Sequence, residues 1–280
     1  MRIVVTGATS MIGLALVKEA VEKGFDVLAI VRKGSKRLNN LIKSNNVQIL
    51  QCNLNDYKNI DVSEYGKYDV FFHLAWEKTS QNNWDNVESQ LENIGYTLDA
   101  VDLANNLSCS AFVGAGSQAE FGNKNEMLSS DLPESPKSAY GICKLTAGKL
   151  SYLKCESLGI RHCWSRILSV FGENDNESSL ISYCLSALKN NEELNLTKCE
   201  QIWDYLYVKD AANALLSIGN DGINSKTYII GSGNKRKLFE YVNIMKRITD
   251  SKSKINFGAK DYYKHQAMYL VADISELKND

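Results

Sequence analysis

An α/β fold, a doubly wound parallel sheet followed by a smaller C-terminal domain, is predicted by three features of this 280-residue chain. Short apolar runs alternate with longer stretches of helical spacing over residues 1–165. The runs are apolar throughout, as in strands buried on both faces of a sheet. After Arg166 the rhythm loosens, and polar loops such as residues 173–179 interrupt it.

Residues 2–6 make the first strand, and Leu14, Val17 and Val21 share one face of the helix behind it. Gly24 closes that helix, 26–31 reads as the second strand and 47–52 as the third. A fourth strand is expected over 69–75 and a fifth over 110–114, with a helix over about 84–106 between them. Pro136 announces a helix over about 138–158, and 160–168 reads as the sixth strand. Crossovers between such strands are expected to be right-handed. A helix at 180–190, a strand near 204–208, a helix near 210–218, a strand at 227–230 and a helix at 238–248 complete the pattern. The chain therefore divides into residues 1–165 and a smaller part, 166–280, interleaved with the first sheet.

Composition narrows the function classes. Hydrophobic residues make up 44% and charged residues 23%, ordinary for a globular protein. The net charge is −1 with cations spread along the chain, so no nucleic acid or anionic membrane partner is expected. The opening run 2–6 is too short for a signal segment or a membrane span, and a cytoplasmic protein is expected. Seven scattered cysteines show no CxxC spacing, and His73, His162 and His265 cluster with none of them. Reduced thiols in core positions are expected, and no metal site.

The residues that carry chemistry begin after the first strand. Thr6, Gly7, Ala8, Thr9, Ser10, Met11, Ile12 and Gly13 form a glycine turn that opens a helix. Backbone N–H groups there and the helix N-terminus suit a dinucleotide pyrophosphate. Glycine is common in such turns, so placement in a βαβ unit carries the expectation. The second strand ends in Arg32, followed by Lys33, Ser35, Lys36 and Arg37. Cations there suit a ribose 2′-phosphate, which favours NADP over NAD; a solvated basic loop is the plainer alternative.

Tyr140 and Lys144 lie one helical turn apart on one face. Tyr205 and Lys209 repeat the spacing, but in an alternating run that reads as strand. Tyr140 and Lys144 instead follow the fifth strand, which ends at Ser117. Reducing a ketone needs a hydride and a proton for the forming alkoxide. A phenol titrates near about pH 10 in water, and a neighbouring ammonium favours its anion. Tyr140 is assigned as acid/base, Lys144 as its tuner, and Ser117 as hydrogen-bond partner of the reacting oxygen.

Together these motifs resemble the extended short-chain dehydrogenase/reductase family, of the NAD-dependent epimerase/dehydratase type, over nearly the whole chain. The family loop reads Gly-x-x-Gly-x-x-Gly, and here Ser10 replaces the middle glycine, where it reaches the phosphate or crowds it. The resemblance implies a Rossmann dinucleotide domain and a C-terminal substrate domain. It implies a cofactor site of Gly7, Thr9, Ser10, Met11, Ile12, Arg32, Asn53, Leu54, Leu74, Ala75, Tyr140 and Lys144. Leu74 and Ala75 end the strand beside the adenosine ribose and phosphates. Asn93 matches the asparagine that braces the central strands, and residues 165–172 and 204–210 match the entry to the substrate part and a later strand–helix junction. Asn93 and Asp210 are expected to serve packing. Asn53 stands where relatives carry an adenine-contacting aspartate, and Trp203 where an arginine is common. Relatives often dimerise through two long helices, so a homodimer is implied.

The segment Gly116, Ser117, Gln118, Ala119, Glu120, Phe121 and Gly122 bears on the reaction. Similar 4,6-dehydratases place Asp and Glu directly after the hydroxyl residue, where this chain has Gln118 and Ala119, so dehydration is not expected. Glu120 is expected to face away by strand alternation. The main expectation is reduction of a 4-keto nucleotide sugar with NADPH, resembling reductases that make deoxysugar nucleotides for polysaccharide. The alternatives are a 4-epimerase that retains NAD and a non-catalytic dinucleotide sensor.

Overall fold

The structure, a computed structural model, describes residues 1–262 and 266–280. His265 lies outside the described residues. The first half runs β1 (Arg2–Thr6), α1 (Met11–Glu22), β2 (Asp26–Val31), β3 (Val47–Gln51), β4 (Val70–His73), α2 (Val87–Asn106), β5 (Ala111–Ser117), α3 (Ala139–Leu158) and β6 (Arg161–Ile167). The second half adds β7 (Ser169–Phe171), α4 (Leu180–Lys189), β8 (Leu194–Leu196), β9 (Ile202–Trp203), β10 (Tyr205–Tyr207), α5 (Val208–Asp221) and β11 (Lys226–Ile230). It closes with β12 (Arg236–Lys237), α6 (Leu238–Ile248), β13 (Ile255–Phe257), β14 (Tyr269–Leu270) and α7 (Ser275–Asn279).

Seven strands form one parallel sheet in the order β11-β6-β5-β4-β1-β2-β3. The chain order reverses at β1, and a crevice opens at such a switch point beyond the strands' C-terminal ends. Except in the edge strand β3, the apolar runs bury both faces. Val5, Val17, Leu215 and Ile230 pack on the side of α1 and α5, and Phe71, Phe112, Val101 and Cys155 on the side of α2 and α3. Each such side chain contributes about 1.5–3 kcal/mol relative to exposure. The fold is the doubly wound α/β architecture the sequence predicts.

Helix ends follow local chemistry. Ser10, Asn86, Ser138 and Ser179 cap α1, α2, α3 and α4 by accepting a backbone N–H. Gly159 takes a left-handed conformation and ends α3. β5 runs beyond the apolar run 110–114 and ends at Ser117, as the motif spacing expects, because its last residues keep pairing with β6 as far as Ile167.

The sequence after residue 165 returns to the sheet through β11, while α5 packs on α1. A separate cluster of Cys184, Leu188, Leu194, Val242 and Met245 holds α4, β8 and α6 together. Asp204 is fully buried and accepts from the backbone N–H of Ser232 (2.8 Å), Gly233 (2.8 Å) and Ala272 (3.1 Å), pinning three segments at one carboxylate. Asp210, expected in packing, is instead exposed in the first turn of α5, where a carboxylate favours the helix dipole.

Candidate active site

β1 turns into α1 through backbone that only glycine tolerates. Gly7 has φ +65°, and a Cβ there would meet the Ala75 nitrogen at 2.9 Å. A Cβ on Gly13 would meet the Gly7 carbonyl oxygen at 2.2 Å, so helix and turn touch through bare backbone. The Ser10 Oγ accepts from the Gly13 N–H at 3.0 Å. Its lone pair therefore caps α1, while the hydroxyl remains exposed and keeps its proton to donate.

A groove of about 570 Å³ crosses the C-terminal ends of β1 to β4. Of the predicted cofactor residues, Gly7, Thr9, Ser10, Arg32, Leu54, Leu74 and Ala75 line it. Met11 and Ile12 begin α1 behind the turn, and Asn53 turns its Oδ1 to the backbone of Lys33 at 3.2 Å. Ser35, Lys36, Arg37, Cys52, Tyr57 and the segment from Trp76 to Thr79 add to the lining. Thr9 and Ser35 hydroxyls meet at 3.0 Å, joining the glycine turn to the basic loop. Lys33 turns away to Asp56 at 3.3 Å, and Arg37 donates to the Asn174 carbonyl at 3.1 Å. The groove fits a dinucleotide: N–H donors at a capped helix start, cations at one end and apolar walls between.

Ser117, Tyr140 and Lys144 meet beyond the Trp76 wall. Ser117 ends β5, while Tyr140 and Lys144 sit in the first turns of α3, which packs over that strand. The Lys144 Nζ donates to the Ala115 carbonyl at 2.6 Å and lies 3.9 Å from the Trp76 ring centroid. Trp84 stacks on Tyr140 with ring centroids 5.3 Å apart, and Trp76 meets it edge-on at 6.1 Å. The Tyr140 N–H donates to the Trp84 carbonyl at 2.8 Å, so this loop also caps α3. Tyr205 and Lys209 part as expected: Tyr205 packs on Tyr241, and Lys209 pairs with Glu19 at 3.4 Å.

Electrostatics differ from expectation. Burial pushes the Tyr140 phenol up to about 12, against the opposing hydrogen bond from Ser117, and Glu120 raises it further. The Lys144 ammonium leans toward Ala115 and lies 5.9 Å from the phenol ring centroid, so burial outweighs the lowering expected from it. Lys144 itself is brought down to about 7 by burial, opposed by Glu120. The resting phenol is therefore protonated and ready to act as an acid.

Glu120 does turn away from the groove, but in a 3-10 turn, Gln118–Glu120, rather than by strand alternation. It accepts from the Ser117 N–H at 2.8 Å, from the Trp164 indole at 3.1 Å and from the Arg166 Nε at 2.7 Å. Asn93 braces the loop after β4, accepting from the Glu77 N–H at 2.7 Å. All seven cysteines are free and buried. Among the described residues no group of three or more His, Cys, Asp or Glu could hold a metal ion, and no helix is long and apolar enough to cross a membrane.

Residues 3–231 match the model of the NAD dependent epimerase/dehydratase family. The chain belongs to this family. Its relatives include a CDP-abequose synthase of Salmonella muenchen, 26% identical over 92% of this chain and 84% of that protein. An uncharacterized UDP-glucose epimerase, YtcB of Bacillus subtilis, is 25% identical over 99% of this chain and 91% of its own length. Among solved structures, a UDP-N-acetylglucosamine 4-epimerase from Methanobrevibacter ruminantium superposes with TM-score 0.88 at 24% identity, covering 99% of this chain and 90% of that one. That likeness shows the fold. The family match makes the chain an NAD-dependent enzyme acting on nucleotide sugars. Trp76, Trp84 and Arg166 are what sequence reasoning missed at this candidate site, together with the ion pair of Glu120. Trp76 had a signal: it directly follows Leu74 and Ala75 at the strand end.

Proposed function

We propose that this family member is an NADPH-dependent reductase of a 4-keto nucleotide sugar. The observation that carries the choice is the cationic rim of the groove, where Arg32, Lys36 and Arg37 stand beside Ser35. No Asp or Glu occurs from Val27 to Asn55, so nothing there selects a free 2′-hydroxyl. The relative named CDP-abequose synthase supports a nucleotide-sugar substrate.

Gly7, Thr9, Ser10 and the start of α1, with Met11 and Ile12, hold the pyrophosphate. Asn53, Leu54, Leu74 and Ala75 border the adenosine, and Arg32 meets the 2′-phosphate. When bound, the dinucleotide supplies the hydride. Ser117 and Tyr140 hydrogen-bond the sugar's carbonyl oxygen. As hydride reaches the carbonyl carbon, the C=O π pair moves to oxygen and Tyr140 gives that oxygen its phenolic proton. Ser117 and the Lys144 charge stabilise the phenolate left behind, which regains a proton before the next turnover.

Residues 1–165 bind the dinucleotide and 166–280 the sugar nucleotide in this reading. It also includes a homodimer through α2 and α3, where Val87, Leu91, Ile142 and Leu153 are each at least half exposed. Seven free thiols suit a cytoplasmic location. A 4-epimerase that retains NAD is the second reading, favoured by the likeness to YtcB over 99% of the chain.

The test is an assay of CDP-, dTDP-, GDP- and UDP-4-keto sugars with NADPH. Stoichiometric NADPH loss with one of them is expected. Interconversion of the corresponding 4-hydroxy nucleotide sugars by the NAD-loaded protein, with no NADPH loss on the 4-keto sugars, would replace the reductase by the epimerase. Inertness toward all four 4-keto sugars would remove the reductase, and inertness toward the 4-hydroxy sugars as well would remove both.

A further inference from the structure

Lys144 is only 4% exposed, and its ammonium has two close partners, the Ala115 carbonyl and the face of Trp76. The charged and titratable groups around it offer little counter-charge. His73 on β4 is fully desolvated and held down to about 3, hence neutral. Tyr140 on α3 is a neutral phenol. Glu120, in the turn after β5, favours the ammonium, but its carboxylate is tied to Arg166 at 2.7 Å.

The indole is held in place. Its Nε1–H donates to the Gln90 Oε1 at 2.9 Å, and the Gln90 amide donates to the Lys78 and Asn83 carbonyls at 3.0 and 3.1 Å. Gln90 is fully buried. Trp76 can therefore leave Lys144 only by breaking a part-buried hydrogen bond to a fully buried amide. An aromatic face attracts a cation through its ring quadrupole, most strongly when both are desolvated.

We propose that Trp76 is the positioning residue for Lys144, its indole face standing in for a counter-ion and holding the ammonium charged at the groove wall. The inference rests on the reading of Lys144 as the partner of Tyr140. A lysine that burial brings to about 7 is poised near neutrality, so a modest bias from the indole decides its charge. Loss of that charge weakens stabilisation of the Tyr140 phenolate.

The experiment is an NMR titration of lysine ¹³Cε signals in the cofactor-free protein, with Lys144 assigned from its loss in Lys144→Arg. Trp76→Leu should lower the Lys144 midpoint by about one unit, a tenfold change in its ionisation constant. Trp76→Phe, which keeps a π-face, should lower it by less. The alkaline limb of kcat/KM should move with the midpoint. Should the leucine variant not fold, tryptophan fluorinated on its benzo ring keeps the residue's shape while weakening its negative face. Uniform incorporation should lower the midpoint in the natural sequence and leave it unmoved in Trp76→Phe. An unmoved midpoint in Trp76→Leu or in the fluorinated protein overturns the proposal, as do equal shifts in the phenylalanine and leucine variants. The titration needs no turnover, so an enzyme inert toward every keto sugar still leaves the role of Trp76 measurable.

Discussion

The Glu120 carboxylate meets the Arg166 guanidinium at 2.7 Å, with the two side chains 0% and 3% exposed. The pair links the turn after β5 to β6, and through the Glu120 bond to the Ser117 N–H it fixes one of the three candidate catalytic residues. Glu120→Gln leaves the Arg166 charge with Glu134 as its remaining ion-pair partner, at 2.7 Å. Breaking a buried pair from one side costs about 3–5 kcal/mol, and Glu134 should keep the loss near the lower bound. Urea unfolding monitored by circular dichroism measures it. Unchanged stability would show that Glu134 alone suffices.

Tyr140→Phe removes the proton donor and keeps the ring between Trp76 and Trp84. Proton transfer by a positioned group is worth about 10²–10⁴ in rate. Single-turnover NADPH oxidation should slow by that order, while calorimetry finds cofactor binding nearly unaltered. Unaltered turnover would assign the acid elsewhere.

Arg32→Asp should discriminate between cofactors. A charge-assisted hydrogen bond is worth about 1.5–3 kcal/mol, so NADPH affinity should fall roughly ten- to hundredfold, with NADH little affected. Fluorescence titration with each nucleotide reads the ratio. Equal affinity for both in the unsubstituted protein would remove the basis for preferring NADP.

Acid should weaken the fold before its carboxylates titrate. Burial holds His73 near 3 and His162 near 4, both below the usual 6.5. The unfolded chain therefore binds protons first: the histidine contribution is complete above pH 6.5 and is lost toward pH 4 for His162 and pH 3 for His73. Lys144, lowered to about 7, adds no slope below that pH. His162 donates to or accepts from the Ser151 hydroxyl at 2.9 Å, and its loss of stability is at most about 3 kcal/mol at about 1.4 kcal/mol per pKa unit. Urea midpoints between pH 7 and 5 should fall, and His162→Gln should flatten that slope. A midpoint constant over this range would contradict the buried neutral imidazoles.

Much of the fold is legible because strands such as 26–31 are too uniformly apolar to face water on either side. The later strands β9, β10, β12 and β14 are two or three residues long, and their pairing depends on neighbours that local pattern does not encode. The same division runs through the site. Ser117, Tyr140 and Lys144 are readable from a strand end and a helical spacing. Trp76 and Trp84 lie in a loop whose path is set by Asn93 and Gln90 on α2, and side-chain direction in a loop has no period to read.

By itself, the sequence determined the parallel sheet, the glycine turn and the spacing that puts a phenol and an amine on one helix face. These follow from backbone sterics and from the need of apolar residues to leave water. Tertiary structure alone decided the charge states at that site. Burial raised the Tyr140 phenol, lowered the Lys144 ammonium and set an indole and a buried Glu–Arg pair around them, because desolvation depends on which distant segments pack together.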